Sequence, residues 1–251
     1  MKSRLPANID ATPEQFSDGS VACGQAHPHI RSFTLRRGRF TQAQRHAFDH
    51  LLPAFGVPYA AIPIDLSRTF NRDAPTILEI GCGMGETTAT IAQARPDINF
   101  LGVEVFTAGV GALLKRIDEG GLTNVRVVHH DAVEVVRDMI SPNSLAGIHV
   151  FFPDPWPKKR HHKRRLLQPG FVEVIANRLE PHGYVHCATD WQDYADQALQ
   201  ALGAEPKLVN LHEGYAPAAE NPLCERPVTK FHARGERLGH AAYDLVFARR
   251  P

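Results

Sequence analysis

The sequence lacks the features that mark disulfide-rich, exported and membrane proteins. Its 251 residues include four cysteines and no C-x-x-C pair, which argues against a zinc ribbon and against a disulfide scaffold. No apolar run approaches the 18 residues that would suggest a membrane span, and residues 1–28 contain no signal-peptide pattern. We therefore expect reduced thiols and a soluble protein of the cytoplasm.

The sequence also lacks a large net charge. With 28 Lys/Arg against 27 Asp/Glu, its formal charge is only +1. A surface that binds nucleic acid must therefore be a local patch. Two patches exist: Arg31–Arg45 contains five arginines and no acid, and Lys158–Arg165 contains six basic residues around two histidines. Each patch could equally be a solvated face, which is the more common role of a charge run.

No internal repeat interrupts the chain, and from Pro75 onward apolar strands alternate with helices of about ten residues. This alternation predicts right-handed βαβ units and a mostly parallel sheet. We expect a poorly ordered segment over 1–28, a basic arm and helix over 29–70, and one α/β domain over 71–251. The predicted strands are 76–80, 100–105, 125–129, 148–152, 184–188, 207–211 and 243–248. The predicted helices begin after Thr41 and cover 42–52, 86–95, 107–119, 131–140, 170–179 and 191–202.

A glycine-rich turn with Gly81, Gly83 and Gly85 follows the first strand of this domain and opens a helix. Glu79 and Glu86 border the turn, so a pyrophosphate would be repelled and a cationic ligand would not. Glu104 ends the second strand, where an acid accepts ribose hydroxyls, and Asp131 follows the third, where it can meet an adenine. A nucleoside with an amino-acid tail and no phosphate describes S-adenosylmethionine. A plain βα turn and a nicotinamide site remain the alternatives.

The segment after the fourth strand combines a carboxylate, an aromatic ring and positive charge. Pro153 and Pro155 enclose Asp154, Trp156 follows, and the basic run Lys158–Arg165 comes next. Proline restricts the backbone on both sides of Asp154, so we expect a stiff turn. A fixed acid, a ring that stacks or packs, and cations for phosphates suit an enzyme acting on a base of a nucleic acid. A simple Pro-rich turn is the alternative.

These motifs resemble the bacterial tRNA (guanine-N7-)-methyltransferase family from about residue 29 to the end. The similar segments are Leu78–Gly85, Gly102–Glu104, Phe152–His161, Thr189–Trp191 and Thr229–Phe231. The Pro-Asp-Pro-Trp-Pro-Lys-Lys-Arg-His run is the most specific of them. The resemblance implies a Rossmann-like class I methyltransferase fold: a mostly parallel seven-stranded sheet with helices on both faces and an antiparallel last strand. It also implies methylation of N7 of the variable-loop guanine of tRNA, position 46, with S-adenosylmethionine.

The resemblance assigns roles residue by residue. Beside the three glycines, the cofactor-binding positions are Glu79, Glu104, Asp131 and Asp154, and Asp154 is also the active-site acid. The substrate-binding positions are Lys158, Asp190, Thr229, Lys230, Phe231 and His232. The RNA-contacting positions are Arg160, His161, His162, Lys163, Arg164 and Arg165. The family usually has Glu at the place of His232, and many members have a larger residue at the place of Cys82.

Three other classes of protein fit part of the pattern. A methyltransferase of another RNA or a small molecule would share the cofactor motifs, although a small substrate needs no basic patch. A non-catalytic RNA-binding protein would not need the acids at the three strand ends. A metal enzyme is disfavoured because the 14 histidines are scattered without carboxylate or cysteine partners at ligand spacing. We expect no metal, no membrane, and a monomer or homodimer.

Overall fold

A computed structural model describes residues 30–34, 40–217, 226–227 and 241–251, and these ranges contain a seven-stranded sheet. The strand order is β3-β2-β1-β4-β5-β7-β6, with parallel pairing from β3 to β5 and antiparallel pairing of β7 with both of its neighbours. The strands are β1 Thr76–Ile80, β2 Asn99–Val103, β3 Val125–Val128, β4 Leu145–Phe151, β5 Leu179–Thr189, β6 Leu208–Asn210 and β7 Tyr243–Arg249. The predicted mostly parallel sheet with an antiparallel last strand is confirmed.

Helices cover both faces of the sheet, as expected. Side chains alternate along each strand, so Ile77 and Leu78 belong to two different apolar clusters. One cluster includes α1, α3 and α4, and the other includes α6 and α7. The helices are α1 Gln42–Phe55, α2 Leu66–Phe70, α3 Glu86–Ala94, α4 Thr107–Gly120, α5 Ala132–Glu134, α6 Pro169–Arg178 and α7 Gln192–Gly203.

The start of α1 follows the prediction closely. Thr41 caps the helix: its hydroxyl accepts from the amide of Gln44, and the Gln44 side chain accepts from the amide of Thr41. The helix runs to Phe55, beyond the predicted end at Leu52, although Pro53 lies in its last turn. One missing donor near the end of a helix leaves the preceding turns intact, so Pro53 does not stop it.

Two local predictions were wrong, and two short helices were not predicted. The expected helix 131–140 is the short α5 followed by a π-helical turn over Val135–Met139. The two unpredicted elements are α2 and a 3-10 helix over Lys159–Arg164 in the basic run. Strand β5 begins at Leu179 instead of 184, because its pairing with β4 shifts register after Leu145. Residues 180–183 are accommodated in this irregularity of the pairing.

The described part of the chain contains no helix that is both long and apolar enough to cross a bilayer. Of the described residues, those from Ser32 to Pro251 form one compact unit. The predicted segment 1–28 and most of the residues between the last two predicted strands lie outside the described residues.

Candidate active site

The site lies where the strand order reverses. Strand β1 pairs with β2 on one side and with β4 on the other, with Ile80 opposite Val150. In open α/β sheets, ligands bind outside the carboxyl ends of the strands at this switch point. The glycine-rich turn after β1 and the proline-rich segment after β4 therefore lie at the same edge of the sheet.

The three glycines of the turn have positive φ angles but different surroundings. A Cβ on Gly85, at φ 70°, would lie 2.7 Å from side-chain atoms of Leu113 in α4. A Cβ on Gly81 would meet nothing within 4 Å, and one on Gly83 would meet only the Gly81 carbonyl, at 3.9 Å. Gly85 is thus required for packing, whereas Gly81 and Gly83 leave open space that a ligand can occupy.

Glu104 connects the end of β2 to the glycine-rich turn. Its Oε2 accepts from the Gly83 amide at 2.7 Å, and its Oε1 accepts from the amides of Val105 and Phe106 at 2.8 and 2.9 Å. Burial raises the pKa of this carboxyl, and the nearby charge of Asp154 adds to the effect. A carboxylate offers about four acceptor sites, so Glu104 retains capacity for a ligand hydroxyl.

Glu79 lies beneath the turn, with only 3% of the residue exposed. Its Oε2 accepts a hydrogen bond from the Thr88 hydroxyl at 2.7 Å. Burial raises the pKa of Glu79 to about 7, against the opposing effect of the Thr88 hydrogen bond. Asp131, at the end of β3, caps α5 by accepting from the Val133 amide at 2.9 Å. The structure thus brings the predicted acids to neighbouring strand ends.

The segment around Asp154 is held in an unusual backbone conformation. Phe152 and Trp156, on either side of the Pro-Asp-Pro sequence, have φ angles of 50° and 46°. Such left-handed conformations cost aromatic residues roughly 1–3 kcal/mol each and persist only when the surroundings enforce them. The Phe152 amide donates to the Ala188 carbonyl in β5 at 2.7 Å, which fixes one end of this segment. Asp154 itself is half-buried.

Trp156 packs within the protein. Its indole Nε1 donates to the Ser32 carbonyl at 2.9 Å, the Arg164 guanidinium lies 4.1 Å from the ring centre, and His161 contacts the ring edge-on. The ring is half-buried. Of the two roles that the sequence allowed, packing is the one these contacts describe.

The basic run divides into exposed and enclosed side chains. Lys158, Lys159, Arg160 and Lys163 are exposed, whereas His161, His162 and Arg164 are half-buried. Arg165 differs from the expectation of a phosphate contact, because only 2% of the residue is exposed and its guanidinium binds groups of the protein. A run of positive charges in the sequence does not reveal which cation turns inward.

Asp190 directly follows β5 and borders a cleft of about 560 Å³. The lining residues are Asp190, Trp191, Gln192, Asp193, Asp196, Ala241 and Tyr243. Trp191 is among the exposed large apolar side chains, so an aromatic face and carboxylates are available together. Thr229, Lys230, Phe231 and His232 lie outside the described residues.

One buried polar cluster was missed by the sequence reasoning. His186 in β5 and Arg226 both bind the carboxylate of Asp244 in β7, and Arg226 also lies over the ring of Phe152. An acid next to the apolar run of the strand Tyr243–Arg249 was the available signal. Among the described residues, no group of three or more His, Cys, Asp or Glu could hold a metal ion.

The fold and the acids at its switch point define a class I methyltransferase. A family model described as "Putative methyltransferase" matches residues 73–245. The solved 16S rRNA methyltransferase KamB shares the fold, with a TM-score of 0.54 and 15% identity over 74% of this chain and 92% of that one.

Relatives of high sequence identity show which family of methyltransferases the chain resembles. A tRNA (guanine-N(7)-)-methyltransferase of Bordetella parapertussis is 64% identical over 88% of this chain and 85% of its own length. The protein of the same name from Paraburkholderia xenovorans is 58% identical over 95% of this chain and 93% of its own length. The chain belongs to the tRNA (guanine-N(7)-)-methyltransferase family.

Proposed function

We propose that the protein transfers the methyl group of S-adenosylmethionine to N7 of the guanine at position 46 of tRNA. The observation that carries this proposal is the arrangement at the switch point: Glu104 binds the Gly83 amide of the glycine-rich turn after β1, and the segment that carries Asp154 follows β4, the strand that pairs with β1. Burial is the main cause of the raised pKa of Glu104, and the charge of Asp154 adds to it. The names of the relatives support the choice of base and RNA.

The residues at the switch point suit S-adenosylmethionine. The space beside Gly81 and Gly83 is open, and a side chain at either position would occupy it. The two glycines therefore allow a ligand to lie against the backbone of the turn. Glu79, Glu104 and Asp131 at the strand ends favour a cationic tail, ribose hydroxyls and an adenine amine over a pyrophosphate. When bound, the cofactor would supply a methyl group on a sulfonium, whose sulfur departs as a neutral thioether and is therefore a good leaving group.

The protein's own task is orientation and charge stabilisation. Guanine N7 already has a lone pair, so no general base is needed, and holding N7 in line for attack accounts for much of the rate. The guanine ring becomes positively charged as N7 is alkylated. The fixed carboxylate of Asp154 stabilises that charge, and this is the catalytic role that we assign to it.

Two surfaces would bind the RNA. Asp190 would accept from N1–H and the exocyclic amine of the guanine, and the exposed ring of Trp191 lines the same cleft. Lys158, Lys159, Arg160 and Lys163 are the exposed cations for phosphates. The roles of His161, His162 and Arg164, of the late segment Thr229–His232, and of the Arg31–Arg45 arm remain predictions from the resemblance and the charge pattern.

We also propose that the protein works in the cytoplasm, where its RNA substrate is found, as a monomer or homodimer. The described cysteines, Cys82 and Cys187, are buried and unpaired, and burial raises the pKa of both thiols, which suits a reducing compartment. Sedimentation at several protein concentrations distinguishes the two oligomeric states.

The experiment that tests the function is transfer of labelled methyl groups to unmodified tRNA transcripts with guanine or adenine at position 46. We expect label only in the guanine transcript, recovered as 7-methylguanosine after digestion to nucleosides. Cofactor binding without label in either transcript would indicate another RNA or a small-molecule acceptor. Absence of cofactor binding would indicate a non-catalytic RNA-binding protein.

A further inference from the structure

We propose that Arg165 is a positioning residue that sets the distance between Asp154 and Asp190. Its side chain connects the segment that carries one of these carboxylates to the helix that begins just after the other. The inference rests on the proposed function, which gives Asp154 and Asp190 their roles toward the guanine.

The contacts of the guanidinium occupy all three of its nitrogens. Nε donates to the Pro155 carbonyl at 2.9 Å, and Nη1 donates to the Asp193 carbonyl at 3.2 Å. Nη2 contacts the Asp193 carboxylate at 2.5 Å and His162 Nε2 at 3.2 Å, while the carbon of the guanidinium lies 5.2 Å from the ring centre of Tyr194. A buried cation is tolerated only with such a complete set of partners.

The partners of Arg165 belong to the two segments that carry the carboxylates. Pro155 directly follows Asp154, and Asp193 lies in the first turn of α7, three residues after Asp190. One rigid, planar side chain thus fixes a carbonyl beside the proposed catalytic acid and both a carbonyl and a carboxylate beside the proposed guanine-binding acid. The hydrogen bonds of Arg165 go to Pro155, Asp193 and His162, so we infer that it acts on the two acids through the backbone beside them.

The contacts of Arg165 with Pro155 and Asp193, here called the clamp, act on a strained backbone. Trp156 has a left-handed φ of 46°, and the Pro155 carbonyl belongs to the peptide that precedes it. The hydrogen bond from Arg165 holds that carbonyl. At the other end of the segment, the backbone N–H of Phe152 donates a hydrogen bond to the Ala188 carbonyl. The hydrogen bond from the Trp156 indole to the Ser32 carbonyl is a third attachment. Without Arg165 the peptide is free to relax, and Asp154 moves with it.

A phosphate contact is the competing role for Arg165, and the two roles predict different kinetics. A phosphate contact contributes to tRNA affinity and to its salt dependence, with a slope change of about one per lost cation. A positioning residue affects turnover, because a misplacement of about 1 Å can cost roughly 100-fold in rate. Lysine restores the charge but not the planar fork, so Arg165→Lys separates the two roles.

The test compares Arg165→Lys with Lys163→Met, which removes an exposed cation of the same basic run. For Arg165→Lys we expect kcat to fall by about 10- to 100-fold, with the Kd for tRNA, its salt slope and the Kd for S-adenosylmethionine unchanged. For Lys163→Met we expect a weaker Kd for tRNA and a salt slope reduced by about one. Full kcat in Arg165→Lys, or a lowered salt slope with retained kcat, would overturn the proposal.

A second pair of variants keeps the test independent of the folding of the Arg165 variant. Asp193→Asn weakens the clamp by changing an exposed side chain that binds Arg165. Asp196→Asn is the control: Asp196 also lines the cleft, but its carboxylate accepts a hydrogen bond from Tyr215. We expect Asp193→Asn to lower kcat and to be non-additive with Arg165→Lys, while Asp196→Asn is additive with it. Unchanged kcat in Asp193→Asn, or additivity of that pair, would contradict the clamp. Wild-type protein that fails to label guanine-46 tRNA would instead contradict the proposed function.

Discussion

Arg226 and Asp244 form a two-point ion pair in the interior. Nε of Arg226 donates to Oδ1 at 3.0 Å and Nη2 donates to Oδ2 at 2.8 Å, while His186 Nε2 lies 2.7 Å from Oδ1. The Arg226 guanidinium also lies 5.2 Å from the ring centre of Phe152, the residue that precedes the Pro-Asp-Pro sequence. The pair thus anchors Arg226 to β7 and to the edge of the proposed active site.

The first prediction concerns stability at low pH. Burial of Asp244 opposes its ionisation, but the hydrogen bonds from His186 and Arg226 outweigh burial and lower the pKa to about 2. Because this pKa lies below the ordinary value of 3.8, the ionised carboxylate stabilises the fold above about pH 4, and that stability is lost as the pH falls toward 2. The contribution is about 2 kcal/mol.

Denaturant unfolding of the wild type and of Asp244→Asn checks this expectation. At pH 7 the variant should be less stable by about 3 kcal/mol or more, because Arg226 loses its buried partner. Between pH 4 and pH 2.5 the difference between the two proteins should shrink. A difference that stays constant over this range would contradict the assigned pKa.

The second prediction concerns the proposed catalytic acid. Asp154→Ala should lower kcat for methyl transfer to tRNA by about 10²–10³, because the positive charge that develops on guanine loses its fixed counter-charge. Single-turnover rates at saturating tRNA and cofactor measure this loss directly. Asp118→Ala, at an exposed position of α4, is the matched control and should retain the wild-type rate. A near-normal rate in Asp154→Ala would remove the catalytic role.

The third prediction concerns the different roles of Gly85 and Gly81 in the glycine-rich turn. Gly85→Ala should lower the free energy of unfolding by about 2–4 kcal/mol, because its Cβ would lie 2.7 Å from Leu113 at a positive φ. Gly81→Ala faces open space, so only the strain of its φ, about 1 kcal/mol, should appear in stability. The methyl group would instead enter the proposed ligand space and weaken S-adenosylmethionine binding tenfold or more.

Thermal unfolding and calorimetric cofactor titration of both variants test this contrast. Weak cofactor binding together with near-normal stability in Gly81→Ala is the expected signature. Unchanged cofactor affinity in Gly81→Ala would place the ligand elsewhere at the switch point.

Sequence patterns predicted those features that depend on neighbouring residues. The bounds of β1 were correct because an apolar run is enclosed by Pro75 and by Gly81, which adopts a φ of 73°. The cap of α1 was correct because Thr41 and Gln44 are three residues apart. The burial of Arg165 could not be predicted, since its partner Asp193 is 28 residues away and nothing local distinguishes it from Lys163.

The cluster of His186, Arg226 and Asp244 could not be predicted either, because its members are distant in the sequence. His186 and Asp244 are 58 residues apart in the chain, and only the antiparallel pairing of β5 with β7 brings them together. A pairing register is set by the whole sheet, so a polar residue in one strand does not identify its partner.

The last prediction concerns the pH dependence of cofactor binding. Burial raises the pKa of Glu79 to about 7, so in the free protein this carboxyl is mostly protonated at pH 5.5 and half ionised at pH 7. The raised pKa also means that ionisation of Glu79 costs stability as the pH rises from about 4.5 to 7. A cationic amino-acid tail at the glycine-rich turn would favour the ionised form, so binding S-adenosylmethionine should release a proton. The affinity should then rise by about tenfold between pH 5.5 and 7.

Calorimetry in buffers of different ionisation enthalpy measures both the proton release and the affinity for S-adenosylmethionine. Glu79→Gln should flatten the profile, and Thr88→Val should move it to higher pH, because the Thr88 hydroxyl stabilises the ionised carboxylate. A profile that is equally steep in Glu79→Gln would assign the titration to another carboxyl, with Glu104 the next candidate because burial raises its pKa as well.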